Sequence, residues 1–145
     1  MLSKEIDVGR IITPVYAYRD EGTSYHYAEP ADYIEIKTAP ITYEFFKDIG
    51  RIPVIGRTWT TDALFRETQL NIDKRVHDGC VSVEMEVAAV QAVCDFYNIN
   101  FYTFLIAGDS LAKTEWDPRI PVSHKTIYAD LAIRLGEYVC EVVTC

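Results

Sequence analysis

Residues 81–107 contain the pattern that most restricts how this chain can fold. A short β-branched stretch, residues 81–83, leads into an alanine-rich apolar run, residues 84–97, with the composition and length of a helix. A second apolar stretch, residues 99–107, is rich in aromatic and β-branched residues and is typical of a buried strand. A strand, a helix and a strand in succession predict a layered α/β domain.

The rest of the chain continues this alternation without an internal repeat, which predicts a single domain over residues 1–145. Further strands are predicted at residues 9–18, 33–37 and 52–58. Helices are predicted at residues 42–49, at 70–76 and after Ser123, a favourable N-cap. Loops are predicted at residues 19–30 and 109–122, and a loop or a first helical turn at residues 63–68. Pro14 marks an edge or a bulge in the first strand, because proline donates no ladder hydrogen bond.

Composition and charge argue against several classes of function. A net charge of −8 and a pI near 4.8 disfavour non-specific binding to nucleic acid or to anionic membranes. No apolar run approaches the roughly 20 residues that cross a bilayer. Residues 1–7 lack the apolar core of a signal peptide, so the expected location is the reducing cytoplasm. The four cysteines form no C-x-x-C pair and the three histidines are scattered, so no metal site is expected.

Three acidic residues stand at the ends of predicted buried elements. Glu84 and Glu86 precede the apolar part of the helix, and Asp109 directly follows the strand-like run. Burying a carboxylate is costly unless a specific partner compensates it. In one interpretation, one glutamate caps the helix, the other faces water, and Asp109 caps a turn. In the other, the three carboxylates form a ligand site.

Three segments favour the second interpretation. Residues 83–86 read Val-Glu-Met-Glu before an alanine-rich helix, and the next strand-like run ends in an aspartate. Residues 59–68 read Trp-Thr-Thr-Asp-Ala-Leu-Phe-Arg-Glu-Thr, and residues 18–27 read Tyr-Arg-Asp-Glu-Gly-Thr-Ser-Tyr-His-Tyr. From about Val8 onward, the chain resembles the nucleoside phosphorylase/nucleosidase superfamily. The resemblance implies a three-layer α/β fold with a mixed central sheet flanked by helices.

The resemblance also implies roles for the residues around the acidic pair. Glu86 matches the residue that accepts hydrogen bonds from both ribose hydroxyls, and Met85 matches the residue that packs on the sugar. Glu84 and the neighbouring Val83 match positions that shape the substrate site. Asp109 matches the acid that hands a proton to a purine ring nitrogen, for which it must hold a proton when substrate is bound.

Further positions match the base pocket. Phe65 matches the aromatic residue that stacks on the base, the alternative being ordinary core burial. Gln69 matches the glutamine of the uridine-binding branch, but the arginine two residues further on in that branch is Asn71 here. Arg119 or His124 would support Asp109. Arg66 and Glu67 are expected to pair with each other or to face solvent.

The resulting prediction is phosphorolysis of purine nucleosides to free base and ribose 1-phosphate, with phosphate as co-substrate and no cofactor. Two alternatives remain: a hydrolase of the methylthioadenosine/adenosylhomocysteine nucleosidase type, and a non-catalytic protein that binds nucleoside or assembles with a partner. Family members run well over 200 residues, so the N-terminal part with its phosphate-binding loop is expected to be missing. The resemblance also implies a homo-oligomer that binds a small-molecule nucleoside.

Overall fold

The computed structural model describes residues 1–2, 6–111 and 125–143, and these form an α/β fold. The strands are β1 (Ile11–Asp20), β2 (Tyr33–Glu35), β3 (Val54–Thr61), β4 (Cys80–Glu84) and β5 (Leu105–Ile106). The helices are α1 (Ala39–Asp48), α2 (Gln69–His77), α3 (Val87–Phe96) and α4 (Lys125–Val143). Two short 3-10 turns lie at Thr23–His26 and Leu64–Arg66.

The five strands form one mixed sheet. Its order is β2-β1-β3-β4, with β1, β3 and β4 parallel, and both β2 and β5 run antiparallel to β1. Ile11 and Ile12 pair with β5, whereas residues 16–18 pair with β2. Pro14 lies between these two stretches, at a register shift against β3. Of the two alternatives predicted at Pro14, an edge or a bulge, the register shift agrees with the bulge.

Helices cover both faces of the sheet. Along β1, Ala17 and Tyr18 point to opposite faces because side chains alternate along a strand. Ala17 belongs to a buried cluster with Ala88 and Ala92 of α3, and Tyr18 packs against the cluster of Trp59 and Ile72 on the α2 side. α1 and α4 pack together through a third cluster, which contains Ile11, Phe45, Phe46, Leu131 and Leu135. The predicted layered α/β architecture is confirmed.

Local chemistry explains where several elements begin and approach one another. α1 starts at Ala39, three residues before the predicted start, because Pro40 suits the first helical turn. α3 buries Val87, Ala88, Gln91 and Ala92, a single stripe whose alanines let the helix lie close to the sheet. A Cβ at Gly56 would lie 2.6 Å from Val81 Cγ2, so glycine permits the close approach of β3 and β4.

The prediction of a strand over residues 99–107 is wrong for most of its length. β5 comprises only Leu105 and Ile106. Tyr102 and Phe104 instead pack against the α1–α4 cluster, and the carbonyl oxygen of Phe101 accepts a hydrogen bond from the Thr38 hydroxyl at the start of α1. The aromatic residues that suggest a strand fill the space between helices, so tertiary packing overrides local propensity.

Two other boundaries differ from the prediction. β3 runs on to Thr61, so the first three residues of the segment expected as a base-pocket loop, residues 59–61, belong to a strand. The helix predicted from residue 84 begins at Val87, because Glu84 completes β4. The loop at residues 112–122 and the predicted N-cap Ser123 lie outside the described residues.

Candidate active site

Three parallel strands end side by side at one edge of the sheet. The last residues of β1, β3 and β4 are Asp20, Thr61 and Glu84, and the register pairs Thr60 with Glu84. In open α/β sheets, ligands bind outside the carboxyl ends of the parallel strands. The Val-Glu-Met-Glu segment lies at this edge, between β4 and α3.

The Glu84 carboxylate accepts four hydrogen bonds from within the protein. Its Oε1 accepts from the hydroxyls of Thr60 at 2.6 Å and Thr58 at 3.2 Å. Its Oε2 accepts from the backbone N–H groups of Glu86 and Val87, each at 2.7 Å. Glu84 thus caps the N-terminus of α3 from the end of β4, as the capping interpretation of one glutamate predicts.

The hydroxyls beneath Glu84 have partners of their own. Thr60 Oγ1 accepts from the backbone N–H of Ala88 at 3.0 Å, and Ser82 Oγ donates to Thr58 Oγ1 at 3.0 Å. Thr58, Thr60 and Ser82 are all buried. We call these three residues and Glu84 the floor of the site, because they lie below the turn that carries Met85 and Glu86.

Burial also changes the acidity of Glu84. Removal from water raises the pKa of the Glu84 carboxyl above its ordinary value, and hydrogen bonds from Thr60, Val87, Glu86 and Thr58 offset part of that rise. The net shift is upward. The floor is therefore a poorly solvated environment in which hydrogen bonds hold a carboxylate.

A cleft of about 190 Å³ brings the predicted residues of two segments together. Val83 and Glu84 line it from the end of β4, and Gly108 and Asp109 line it from the chain beyond β5. The backbone carbonyl of Asp109 accepts a hydrogen bond of 2.8 Å from the Met1 amino group. Glu84 therefore both caps a helix and shares a cleft with Asp109.

Glu67 is an acidic neighbour of this cleft that the sequence does not reveal. Burial raises the pKa of the Glu67 carboxyl, and the negative charge of Asp109 raises it further. Within the described ranges, Arg66 and Glu67 form no ion pair; Arg66 is exposed, as the solvent alternative predicts, and Glu67 is half-buried. Glu67 directly follows the short 3-10 turn at Leu64–Arg66, which agrees with the helical-turn alternative predicted for residues 63–68.

Four other predicted site residues are exposed around this edge, and we call them the rim: Phe65, Gln69, Met85 and Glu86. Phe65 is 96% exposed, so core burial is wrong for it. Glu86 Oε2 accepts a 3.2 Å hydrogen bond from the Met85 N–H, and Gln69 Nε2 donates to Asp73 at 2.7 Å. The rim residues do not line the 190 Å³ cleft in the described part of the chain.

The remaining expectations concern supporting residues, metals and membranes. Arg119 and His124 lie outside the described residues. Among the described side chains, no group of three His, Cys, Asp or Glu residues is arranged to hold a metal ion. No helix in the described ranges combines the length and apolar character needed to span a bilayer.

Comparison with known proteins gives a family match and a structural match. The model of the phosphorylase superfamily matches residues 1–144. The fold is similar to AMP nucleosidase from Bacteroides thetaiotaomicron VPI-5482, with a TM-score of 0.74 and 18% identity over 98% of this chain and 57% of that one. It is also similar to a futalosine hydrolase mutant of Helicobacter pylori strain 26695, with a TM-score of 0.72 and 15% identity over 94% and 63%.

The family match and the structural matches support different conclusions. At 15% and 18% identity, the structural likeness concerns the fold. The chain spans about three-fifths of the length of these two solved relatives. A search of curated proteins found no match.

Proposed function

This chain belongs to the phosphorylase superfamily, and we propose that it cleaves the N-glycosidic bond of purine nucleosides by hydrolysis. The observation that carries the proposal is the cleft shared by Glu84 and Asp109, with the exposed Glu86 two residues after Glu84 in the chain. The AMP nucleosidase and the futalosine hydrolase of similar fold are both named as enzymes that use water.

The ribose would be held by Glu86. Its carboxylate is exposed and bonds only weakly within the described residues, so its oxygens are available to ribose hydroxyls. As the C–N bond breaks, the sugar becomes oxocarbenium-like and gains positive charge. Carboxylates near the ring stabilise that charge more in the transition state than in the ground state.

The purine would leave with a proton from Asp109. Water adds its oxygen to the anomeric carbon, the electrons of the C–N bond pass to the base, and Asp109 protonates a ring nitrogen. The water gives its second proton to solvent, from which Asp109 is reprotonated. Phe65, which is almost fully exposed, offers an aromatic face for stacking on the base.

The choice of water over phosphate rests on the chemistry of the site. Anions often bind at a helix N-terminus, but the N–H groups of Glu86, Val87 and Ala88 at the start of α3 already bond to the floor. The described lining of the cleft contains two carboxylates and no arginine or lysine side chain, and its one cationic group, the Met1 amino group, already donates to the Asp109 carbonyl. Phosphate would meet negative charge there.

Arg19, next to the last residue of β1, carries a positive charge that could attract phosphate, but its guanidinium already bonds within the protein. It is buried, and its guanidinium donates to the Ser24 hydroxyl at 2.8 Å and to the backbone carbonyls of Glu29 and Ala28. Its guanidinium also stacks on Tyr25, 4.3 Å from the ring centroid. These contacts show that Arg19 holds the loop after β1 in place.

Phosphorolysis is the second candidate, favoured by the resemblance of residues 59–68 to the phosphorylase base-pocket motif. Product analysis distinguishes the two reactions. Incubating the 145-residue chain with inosine or adenosine, with and without phosphate, should release base and a reducing sugar at a rate independent of phosphate. Phosphate-dependent formation of ribose 1-phosphate would contradict hydrolysis, and absence of nucleoside binding in calorimetry would overturn both candidates.

The role of Asp109 has its own test. Asp109→Asn should lower the turnover of purine nucleosides by roughly 10²- to 10⁴-fold, and much less for substrates with activated leaving groups. Asp48→Asn, at an exposed aspartate near the end of α1, serves as the matched control and should change neither rate. Equal losses on both types of substrate would argue against a proton-donor role.

A further inference from the structure

We propose that Thr60 is a positioning residue that sets the place of Glu86 through Glu84. This inference rests on the proposed function, because it concerns how the ribose-binding carboxylate is presented. Thr60 lies in β3, is fully buried and has no exposed surface for a substrate to touch. Any effect on the ligand must therefore pass through its neighbours.

The two hydrogen bonds of Thr60 fix the direction of its hydroxyl proton. Thr60 Oγ1 accepts the N–H of Ala88 at 3.0 Å, which engages a lone pair. A hydroxyl has a single proton to donate, and the partner within reach is Glu84 Oε1 at 2.6 Å. The first turn of α3 thus orients Thr60, and Thr60 in turn orients Glu84.

Glu84 transmits this orientation to the rim. A carboxylate has about four acceptor positions, and the two hydroxyls and two backbone N–H groups described above occupy four. The carboxylate therefore acts on the backbone of residue 86 and leaves contact with the sugar to Glu86. Because hydrogen bonds hold both carboxylate oxygens of Glu84, the turn that carries Met85 and Glu86 is fixed between β4 and α3.

The hydroxyls of the protein also supply a matched control. Thr42, on α1, is fully buried like Thr60, but its hydroxyl has no hydrogen-bond partner among the described residues. Thr42→Val removes a buried hydroxyl outside the site, whereas Thr60→Val removes one that holds Glu84. Thr60→Ser keeps the hydroxyl and tests whether that group alone restores the effect.

The first measurement needs no ligand. Removing one donor to the ionised form should raise the pKa of the Glu84 carboxyl, which can be followed by carbon-13 NMR titration of the side chain. We expect the pKa of Glu84 to rise in Thr60→Val, to stay near its wild-type value in Thr60→Ser and to be unchanged in Thr42→Val. An unchanged Glu84 titration in Thr60→Val would overturn the positioning role, whatever the protein binds.

The second measurement concerns nucleoside. Thr60→Val should weaken inosine binding about tenfold, the size of one charge-assisted hydrogen bond, and should move the acid limb of kcat/KM to higher pH. Thr60→Ser should recover both, and Thr42→Val should change neither. A lower unfolding midpoint in Thr60→Val with unchanged affinity and acid limb would show a purely structural role and overturn the proposal.

The two proposals fail in different ways. If the wild-type chain binds no nucleoside, the proposed function fails and the link from Thr60 to the ribose fails with it, while the NMR titration still decides whether Thr60 holds Glu84. If the wild-type chain binds nucleoside but Thr60→Val binds equally well, only the positioning role is overturned.

Discussion

The floor and the rim of the candidate site lie a few residues apart in the chain but are built very differently. On the floor, buried hydroxyls and N–H groups surround Glu84, and each oxygen of its carboxylate has two partners. On the rim, Phe65 and Glu86 face outward with few contacts. The floor is organised for the protein itself, whereas the rim is available to a ligand. Substitutions on the floor should therefore cost stability first, and substitutions on the rim should cost binding.

Replacement of the buried carboxylate should have the largest effect. Glu84→Gln turns one carboxylate oxygen into an NH₂ group: against the two backbone N–H groups donors face donors, and against the hydroxyls of Thr58 and Thr60 their hydrogen bonds to Glu84 are lost or reversed. We expect the free energy of unfolding to fall by about 3 kcal/mol, measured by urea denaturation. Glu44→Gln, at an exposed glutamate paired with Lys47, should change it by less than about 0.5 kcal/mol. Equal effects of the two substitutions would show that the floor contributes no special stability.

The equivalent change on the rim should separate stability from binding. Glu86→Gln should leave the free energy of unfolding within about 0.5 kcal/mol of wild type, because the side chain is exposed. Inosine affinity should fall by roughly 1.5–3 kcal/mol, the range for hydrogen bonds to a charged group. Calorimetric titration measures this, and unchanged affinity would remove Glu86 from the ribose site.

The exposed aromatic of the rim should show a smaller effect of the same kind. Phe65→Ala should weaken purine nucleoside binding by about 1 kcal/mol through lost stacking, with no loss of stability. Phe46→Ala, at a fully buried phenylalanine on α1, should do the reverse and lower the free energy of unfolding by about 3–5 kcal/mol. A clear loss of stability in Phe65→Ala would mean that the side chain packs in solution.

The smallest effect concerns pH. Because the folded-state pKa of Glu84 is raised, the folded protein binds more protons than the unfolded chain just above the ordinary glutamate pKa of 4.5. Stability from this group is present below that value and declines as pH rises through the folded-state pKa. Glu67 contributes a slope of the same sign. Urea denaturation at several pH values should therefore show that the free energy of unfolding declines less steeply with pH in Glu84→Gln than in wild type. An identical dependence on pH would contradict the raised pKa.

Local patterns predicted the α/β layers, the bulge at Pro14 and the helix after the Val-Glu-Met-Glu segment, because periodicity and turn chemistry act over a few residues. They allowed one glutamate to cap the helix but did not reveal that Thr60 holds this cap, because Thr60 lies on another strand. The electrostatic link between Glu67 and Asp109 was missed for the same reason. The strand predicted at residues 99–107 was too long because Tyr102 and Phe104 pack with helices distant in sequence.

β2 and β5 both pair with β1, and this arrangement has a consequence for the order of folding. Residues 16–18 pair with β2, which is close in the chain, whereas Ile11 and Ile12 pair with residues 105–106. Contacts between distant residues form later, because closing a long loop costs more entropy. Until β5 arrives, the first residues of β1 form an open, apolar edge that another chain can occupy. We therefore expect the yield of refolding to fall as chain concentration rises, and a dilution series followed by light scattering would detect this; a yield independent of concentration would show that β5 docks before chains meet.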